Sequence, residues 1–463
     1  MEKMQGSLMD MPKGKKFFIL VILSLIAGMV YLTPFLRFTF YDQMMTALQL
    51  NDAQLGVIGA TYGLLMVICY IPSGYFSERF STKSMLLVSL IGMLVCTIWY
   101  CTYPGYYALI VIHALYGVFS VGTFWSSYVK CIRSLGTDEE QGKMFGLTEG
   151  FRGLGNCAIS FGCLFALGIF AEATAGFRAV LWFNVAAFAI LTVLVLIFIP
   201  NFDKKVSRKA AAAKIDTMSE KAANASAEEQ TDEGELAESS GAIFKKLFSE
   251  LKNPGVWICI GIMMCGYTVW ITTNTYMGTY CTRVLGIDPS ISSALSIVRS
   301  YLIVFIAGVT GGVIIDKFKT KGKGMIISFA GVGVIVVVVF LTSKAAFVCL
   351  VVTLVLAYMV NVIKSTYWST LGDAGISREH TGTATAIISL IAFTSDIFSP
   401  AIVSQFLSYG VNIGDVEAGF NIMLVWMIVW SALGVGAGVL LKQRKKKLDR
   451  AKESSPVAVA DVA

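Results

Sequence analysis

Twelve long apolar runs leave this chain few ways to fold. They cover roughly 17–39, 54–76, 85–102, 106–129, 144–170, 177–199, 255–281, 291–315, 324–342, 345–369, 382–409 and 417–441. A helix crossing a bilayer needs about 20 mostly apolar residues, so each run is long enough to span. Composition agrees: 56% of the residues are hydrophobic and 14% are charged, whereas soluble domains carry about 25% charged residues. A water-soluble globule cannot hide that apolar excess. Soluble enzymes, disulfide scaffolds, disordered chains and nucleic-acid binders are thereby excluded. Pro34 and Pro400 fall within runs, which spans tolerate when neighbours satisfy the freed carbonyls. The first run follows Lys13, Lys15 and Lys16. It is long for a signal peptide and lacks an obvious small-residue cleavage site, so it is read as a retained span.

Basic residues set an expected orientation. With the N-terminus inside, 30 of the 37 Lys and Arg fall in inside segments and 3 in or at the edge of outside loops (Arg178, Arg283 and Lys344), leaving four deep within runs. The termini and the central gap are therefore expected in the cytoplasm. The expected organisation is a cytoplasmic N-tail (1–16), six spans (17–200), a cytoplasmic linker (201–253), six spans (254–441) and a basic, disordered cytoplasmic tail (442–463). The linker is rich in Ala, Glu, Lys and Ser and is expected to be mostly disordered. Phe244, Leu247, Phe248 and Leu251 share one helical face, predicting a short surface helix near 242–252. The ten cysteines lie almost all within runs and form no Cys-x-x-Cys; they read as small apolar fillers.

The two halves repeat. The second run ends in Gly74-Tyr-Phe-Ser-Glu78-Arg79-Phe-Ser-Thr-Lys83, and the eighth in Gly312-Val-Ile-Ile-Asp316-Lys317-Phe-Lys-Thr-Lys321. Phe124-Trp125-Ser126-Ser127 in the fourth run matches Tyr367-Trp368-Ser369-Thr370 in the tenth, and Gln141-Gly142 matches Thr381-Gly382. On these residues the chain resembles the major facilitator superfamily, closest to its organic-anion, sugar-phosphate and sugar-acid branches. The signature loop after the second helix occurs twice. Glu78 stands where Asp is usual, and Ser81 and Lys319 replace its second glycine. The resemblance implies an all-α membrane protein of two pseudo-symmetric six-helix bundles around a central cavity, working as a monomer. It also implies that Gly74, Glu78, Arg79, Lys83, Gly312, Asp316, Lys317 and Lys321 form a cytoplasmic gate.

Charges at bilayer depth cost about 2.5–3.5 kcal/mol each by insertion scales, so each needs a reason. Arg37, Arg152, Arg299 and Lys364 are the cations; Glu149 and Asp396 are the carboxylates. Four cations against two carboxylates leave a positive surplus, which favours an anionic ligand. Arg37 lies among aromatics, resembling an anion-gripping arginine of the organic-anion branches. Alternatively it snorkels outward or pairs with Asp42. Glu149 and Arg152, three apart, either neutralise each other or carry protons and substrate respectively. Lys364 either binds substrate or pairs with Asp373. Asp396 is either the counter-ion of Arg299 or Lys364 or a proton site, because burial disfavours an ionised carboxyl. His113 stands where many proton-coupled members carry Arg; it is either a coupling group or a core histidine with a satisfied hydrogen bond. Tyr31, Trp125 and Trp368 are expected to stack on substrate. The expected substrate-binding set is therefore Arg37, Lys364, Arg299, Arg152, Tyr31, Trp125 and Trp368. The proton-coupling set is Asp396, Glu149 and His113.

The expected function is secondary active transport of a small organic anion (sugar acid, sulfonate-type sugar or carboxylate) across the inner membrane by alternating access, with proton-coupled uptake. The alternatives are a carrier of a neutral sugar or drug-like solute, and a transporter-like sensor without flux. A Gly-Pro-rich antiporter stretch on the fifth helix is absent, which counts against drug export. No metal, cofactor or nucleic-acid partner is expected: the two histidines are isolated, and no nucleotide-binding loop occurs.

Overall fold

The computed structural model describes residues 11–136, 140–201, 249–318, 320–376 and 381–454. Twelve helices in it are long and apolar enough to span. Spans 1–6 are Lys13–Leu32, Asp52–Tyr70, Thr82–Cys101, Tyr106–Arg133, Met144–Gly168 and Ala173–Phe198. Spans 7–12 are Pro254–Arg283, Pro289–Ile315, Lys321–Leu341, Ala346–Thr370, Ala384–Asn412 and Val416–Ala451. An even number places the two termini on one side, called the near side below.

Local chemistry sets the span starts. Asn51 caps span 2 in a reciprocal box with Gln54, satisfying amides the first helical turn leaves free. Asn253 accepts from Gly255 N, and Pro254 opens span 7, the helix position where a missing N–H costs nothing. Asp288 caps span 8 through Ser290 and Ile291.

Within the first half, span 1 packs on span 5, span 2 on span 4, and span 3 on span 6. Within the second, span 8 packs on span 10, and span 12 on spans 7 and 9. The halves meet chiefly where span 2 lies against span 11. Large apolar side chains such as Phe165, Ile197, Val334 and Phe347 remain exposed, as lipid-facing positions should.

Several spans are not regular. Span 1 stops at Leu32, and a single 3-10 turn, Leu36–Phe38, leads to a short helix, Tyr41–Leu48. The run read as continuous to residue 39 breaks at Pro34, which lacks an amide and clashes with the preceding turn. Spans 4 and 8 each hold a π-turn, Val118–Gly122 and Val298–Leu302. Span 10 ends in a 3-10 turn, Tyr367–Thr370. Span 11 is interrupted between Ala392 and Ser395. The repeated Phe124-Trp125 and Tyr367-Trp368 pairs thus coincide with helix irregularities in the two halves.

The tail expected to be disordered from 442 is helical as far as Ser454, continuous with span 12. Leu448 packs against Gly375, Arg444 Nε reaches the Ala374 carbonyl, and Lys445 pairs with Asp449. The first two contacts, with the loop after span 10, hold the extension in place. Most of the expected surface helix near 242–252 lies outside the described residues. All ten cysteines are free thiols.

Candidate substrate chamber

A chamber of about 680 Å³ lies between the two halves, on the side nearer the termini. Its walls come from spans 1, 2, 4 and 5 of one half and spans 7, 8, 10 and 11 of the other. Three of its lining residues are charged: Glu149, Arg152 and Lys364.

Lys364 is the focus. Its Nζ sits 3.1 Å from the centre of the Trp270 ring and 5.8 Å from that of Tyr267. The Trp270 ring is held by its own Nε1, which donates to Asn361 Oδ1 at 3.0 Å. Asn361, one helical turn before Lys364, thus fixes the aromatic face on which the ammonium rests. Among the described residues no carboxylate pairs with Lys364. Asp373, its sequence-level alternative partner, instead accepts from the Lys321 backbone amide at 2.8 Å. A desolvated cation over an aromatic ring gains about 2 kcal/mol, less than a full ion pair in the same place. The ammonium therefore retains the capacity to take an anion.

Glu149 and Arg152 pair with each other across one helical turn and line the same chamber. The Glu149 side chain is 55% exposed, so this pair is wet. Tyr31 and Trp125 line the chamber too, and Tyr31 donates to the Ser120 carbonyl. Phe35, Phe38, Tyr70, Tyr128, Tyr267 and Phe393 complete an aromatic wall, with Asn156, Asn274 and Asn361 as its amides.

The other expected residues are elsewhere. Arg37 is 2% exposed on the 3-10 turn, behind Phe35 and Phe38, with its Cζ 4.9 and 5.4 Å from their ring centres. It neither snorkels nor pairs with Asp42. Arg299 is buried inside the second half, donating to Ser296, Thr353 and the Met277 carbonyl. Its π-turn and the polar face of span 7 absorb it. His113 is buried in the first half; its Nδ1 bonds the Leu109 carbonyl at 2.9 Å, and it packs edge-on against Tyr100 and Tyr116. Trp368 packs on Tyr367 and does not line the chamber. Asp396 lies just behind Tyr267, whose hydroxyl donates to its Oδ2 at 3.0 Å.

At the near-side loops, Arg79 bonds the Tyr75 hydroxyl and Lys83 Nζ donates to the Leu196 carbonyl at 2.7 Å. Gly74 and Gly312 face open space, and Lys317 is exposed. The side chains of Glu78 and Asp316 lie outside those described.

One constellation escaped the sequence reading. On the far side, Arg283 at the end of span 7 donates to Asp42 at 2.8 Å and to the two Asp52 oxygens at 2.9 and 3.0 Å. Tyr41 and Thr279 donate to the same carboxylates, and Gln43 reaches Ser293. Arg283 counted in the sequence only as a loop cation. Nothing in its spacing points to partners more than 230 residues away.

The sequence matches the family described as Major Facilitator Superfamily over residues 17–400. The chain belongs to that superfamily. It is 23% identical over 438 residues to the inner membrane protein YihN of Escherichia coli, covering 94% of this chain and 98% of that one. Inner membrane protein YqcE of the same organism is 22% identical, with 91% and 93% covered. Among solved structures, a bacterial homologue of the human lysosomal transporter Spinster, inward-facing and unoccupied, superposes with a TM-score of 0.70 at 13% identity, covering 94% of this chain and 99% of that one. A D-xylose-proton symporter gives 0.69 at 14% identity, with 92% and 97% covered. As a superfamily member with 12 spans, the protein is a multi-pass protein of the inner membrane and a secondary transporter rather than an enzyme. Among the described residues no group of three His, Cys, Asp or Glu is placed to hold a metal.

Proposed function

We propose that this superfamily member takes up a small organic anion, a sugar acid, sulfonated sugar or carboxylate, by alternating access coupled to protons. The observation that carries the reading is Lys364, an ammonium in the interdomain chamber seated on an aromatic face and, among the described residues, without a carboxylate partner. Glu149 and Arg152 cancel, so the chamber wall keeps one positive charge. Aromatic rings and amides around it suit a hydroxylated or planar body. Arg37 and Arg299, buried in protein outside the chamber, give no direct support. With the termini in the cytoplasm, as the Lys and Arg bias suggests, the chamber faces inward, and the Arg283 cluster closes the periplasmic side.

The test is a ligand-stabilisation panel on purified protein, using glucuronate, a 6-sulfonated glucose, glucose 6-phosphate and glucose. Anions are expected to raise Tm and glucose is not. Lys364→Ala should weaken anion binding by about 10–100-fold, since a hydrogen bond to a charged group contributes about 1.5–3 kcal/mol. Equal stabilisation by glucose, or unchanged anion binding in Lys364→Ala, overturns the proposal.

A further inference from the structure

Of the three amides that line the chamber, two are bonded within their own half. Asn274 donates to the Trp270 carbonyl at 2.9 Å and accepts from Ser300 at 2.9 Å. Asn361 donates to the Ala357 carbonyl at 2.8 Å and accepts from the Trp270 ring. Asn156 differs. It is 6% exposed on the chamber wall of span 5, and its Oδ1 has no partner among the described residues. A buried polar atom without a hydrogen bond is rare in native proteins. It points to a partner that the protein itself does not supply.

The space beside this amide is specific. Asn156 Oδ1 lies against Gly28 of span 1, where a methyl group would come within 2.2 Å of it. Glycine, with no Cβ, admits the amide at that distance. Terminal amide torsions are broad, so the oxygen can turn from this slot to the chamber.

The internal repeat shows what is missing. Gln141 matches Thr381, and the same offset takes Asn156 to Asp396. In the second half the facing span supplies a hydroxyl: Tyr267 of span 7 donates to Asp396 Oδ2 at 3.0 Å. In the first half the facing span supplies Gly28, which has no side chain to donate. The two halves therefore place an accepting oxygen at the same station, one capped by a tyrosine hydroxyl and the other bare. Arg152, one turn before Asn156 on the same helix face, is already held by Glu149. This end of the chamber is thus neutral overall and suits a hydroxyl better than a second anion. Lys364, on the opposite half, keeps the charged end.

We infer that Asn156 receives a hydroxyl of the substrate, as Asp396 receives that of Tyr267, and thereby selects hydroxylated anions over plain carboxylates of equal charge. The substrate bridges the halves, with its acidic group on Lys364 and a hydroxyl on Asn156. A chamber of about 680 Å³ is within the usual range for small-molecule sites. Asn156 is a specificity-determining residue, and this inference rests on the anion reading of the chamber.

The experiment measures binding of glucuronate, cyclohexanecarboxylate and glucose to purified protein by calorimetry. The two carboxylates share a six-membered ring and one negative charge, and only glucuronate has hydroxyls. Wild type should prefer glucuronate by at least about 10-fold, since a site built for a hydroxyl rejects analogues that lack it. Asn156→Leu should cut that ratio by about 2–10-fold, the range for one neutral hydrogen bond. Its ligand-free Tm should match or exceed wild type, because the oxygen it removes has no bond to lose. A structural amide would instead lower Tm and leave the ratio unchanged. Gly28→Ala, which displaces the amide but keeps it, should cut the ratio as well. Equal affinity of wild type for the two carboxylates, or an unchanged ratio in whichever variant folds, overturns the inference. If both carboxylates bind alike and Lys364→Ala weakens both, the anion reading stands and this inference fails. If glucose binds as well as glucuronate and Asn156→Leu weakens both, the anion reading fails and the hydroxyl contact stands. Binding of none of the three overturns both.

Discussion

The far and near sides of the interface between the halves are built on opposite plans. On the far side, Arg283 is 19% exposed, Asp52 is 3% exposed, and one guanidinium ties two carboxylates of the other half. Below it, glycines of span 2 bring backbone against backbone. On the near side the halves stand apart around the chamber, and its charges are either paired within one helix, as Glu149 and Arg152 are, or seated on a ring, as Lys364 is. Cross-half ion pairing therefore marks the closed end. The comparison teaches that position, more than charge, decides what an ionic residue does here. A cation clamped between halves stabilises one conformation, whereas a cation in the chamber is left available to a ligand.

Three variants test that contrast, in decreasing order of effect. Arg283→Ala should release the far side most. Removing one partner of a buried ion pair costs about 3–5 kcal/mol, and the partial exposure of Arg283 points to the lower end. Spin labels at exposed Thr46 and Ser290 should show a new, longer distance by pulsed electron resonance. An unchanged distribution would mean that Arg283 does not hold the closure. Gly56→Ala should act next, because its methyl would fall 1.9 Å from Ser404 Oγ and 2.6 Å from the Pro400 carbonyl. Overpacking costs about 1–3 kcal/mol, and the same labels should separate, by less than in Arg283→Ala. A wild-type distance distribution in this variant would show that the contact does not need its glycine. Lys445→Ala removes an ion pair that is solvent-exposed and within one helix. Such pairs contribute about 0.3–0.5 kcal/mol, so the Tm and the label distances should both stay near wild type. A large shift would erase the distinction between clamped and solvated charges.

Much of the fold was legible in the sequence because hydrocarbon imposes a simple rule. A span must satisfy its own backbone bonds, so length and apolar content suffice to find twelve of them. The chamber was partly legible. Lys364, Arg152, Glu149, Tyr31 and Trp125 line it, and each stood out as a charge or aromatic on a span expected to face the centre. Arg37 and Arg299 stood out equally by cost, yet the fold buries them in protein. A charge at bilayer depth announces that it needs company without saying whether that company is a ligand, a carbonyl or a ring. Arg283, Asp42 and Asp52 gave no such warning, because they end or flank spans where charge is ordinary.

The amino-acid order alone thus determined the twelve spans, the repeat and the superfamily, since each follows from local apolar length and short motifs. Tertiary structure decided which cations meet, which stay unpaired, and where the two halves touch. Those outcomes depend on packing between helices hundreds of residues apart, and on glycines such as Gly28 and Gly56 whose only property is the space they leave.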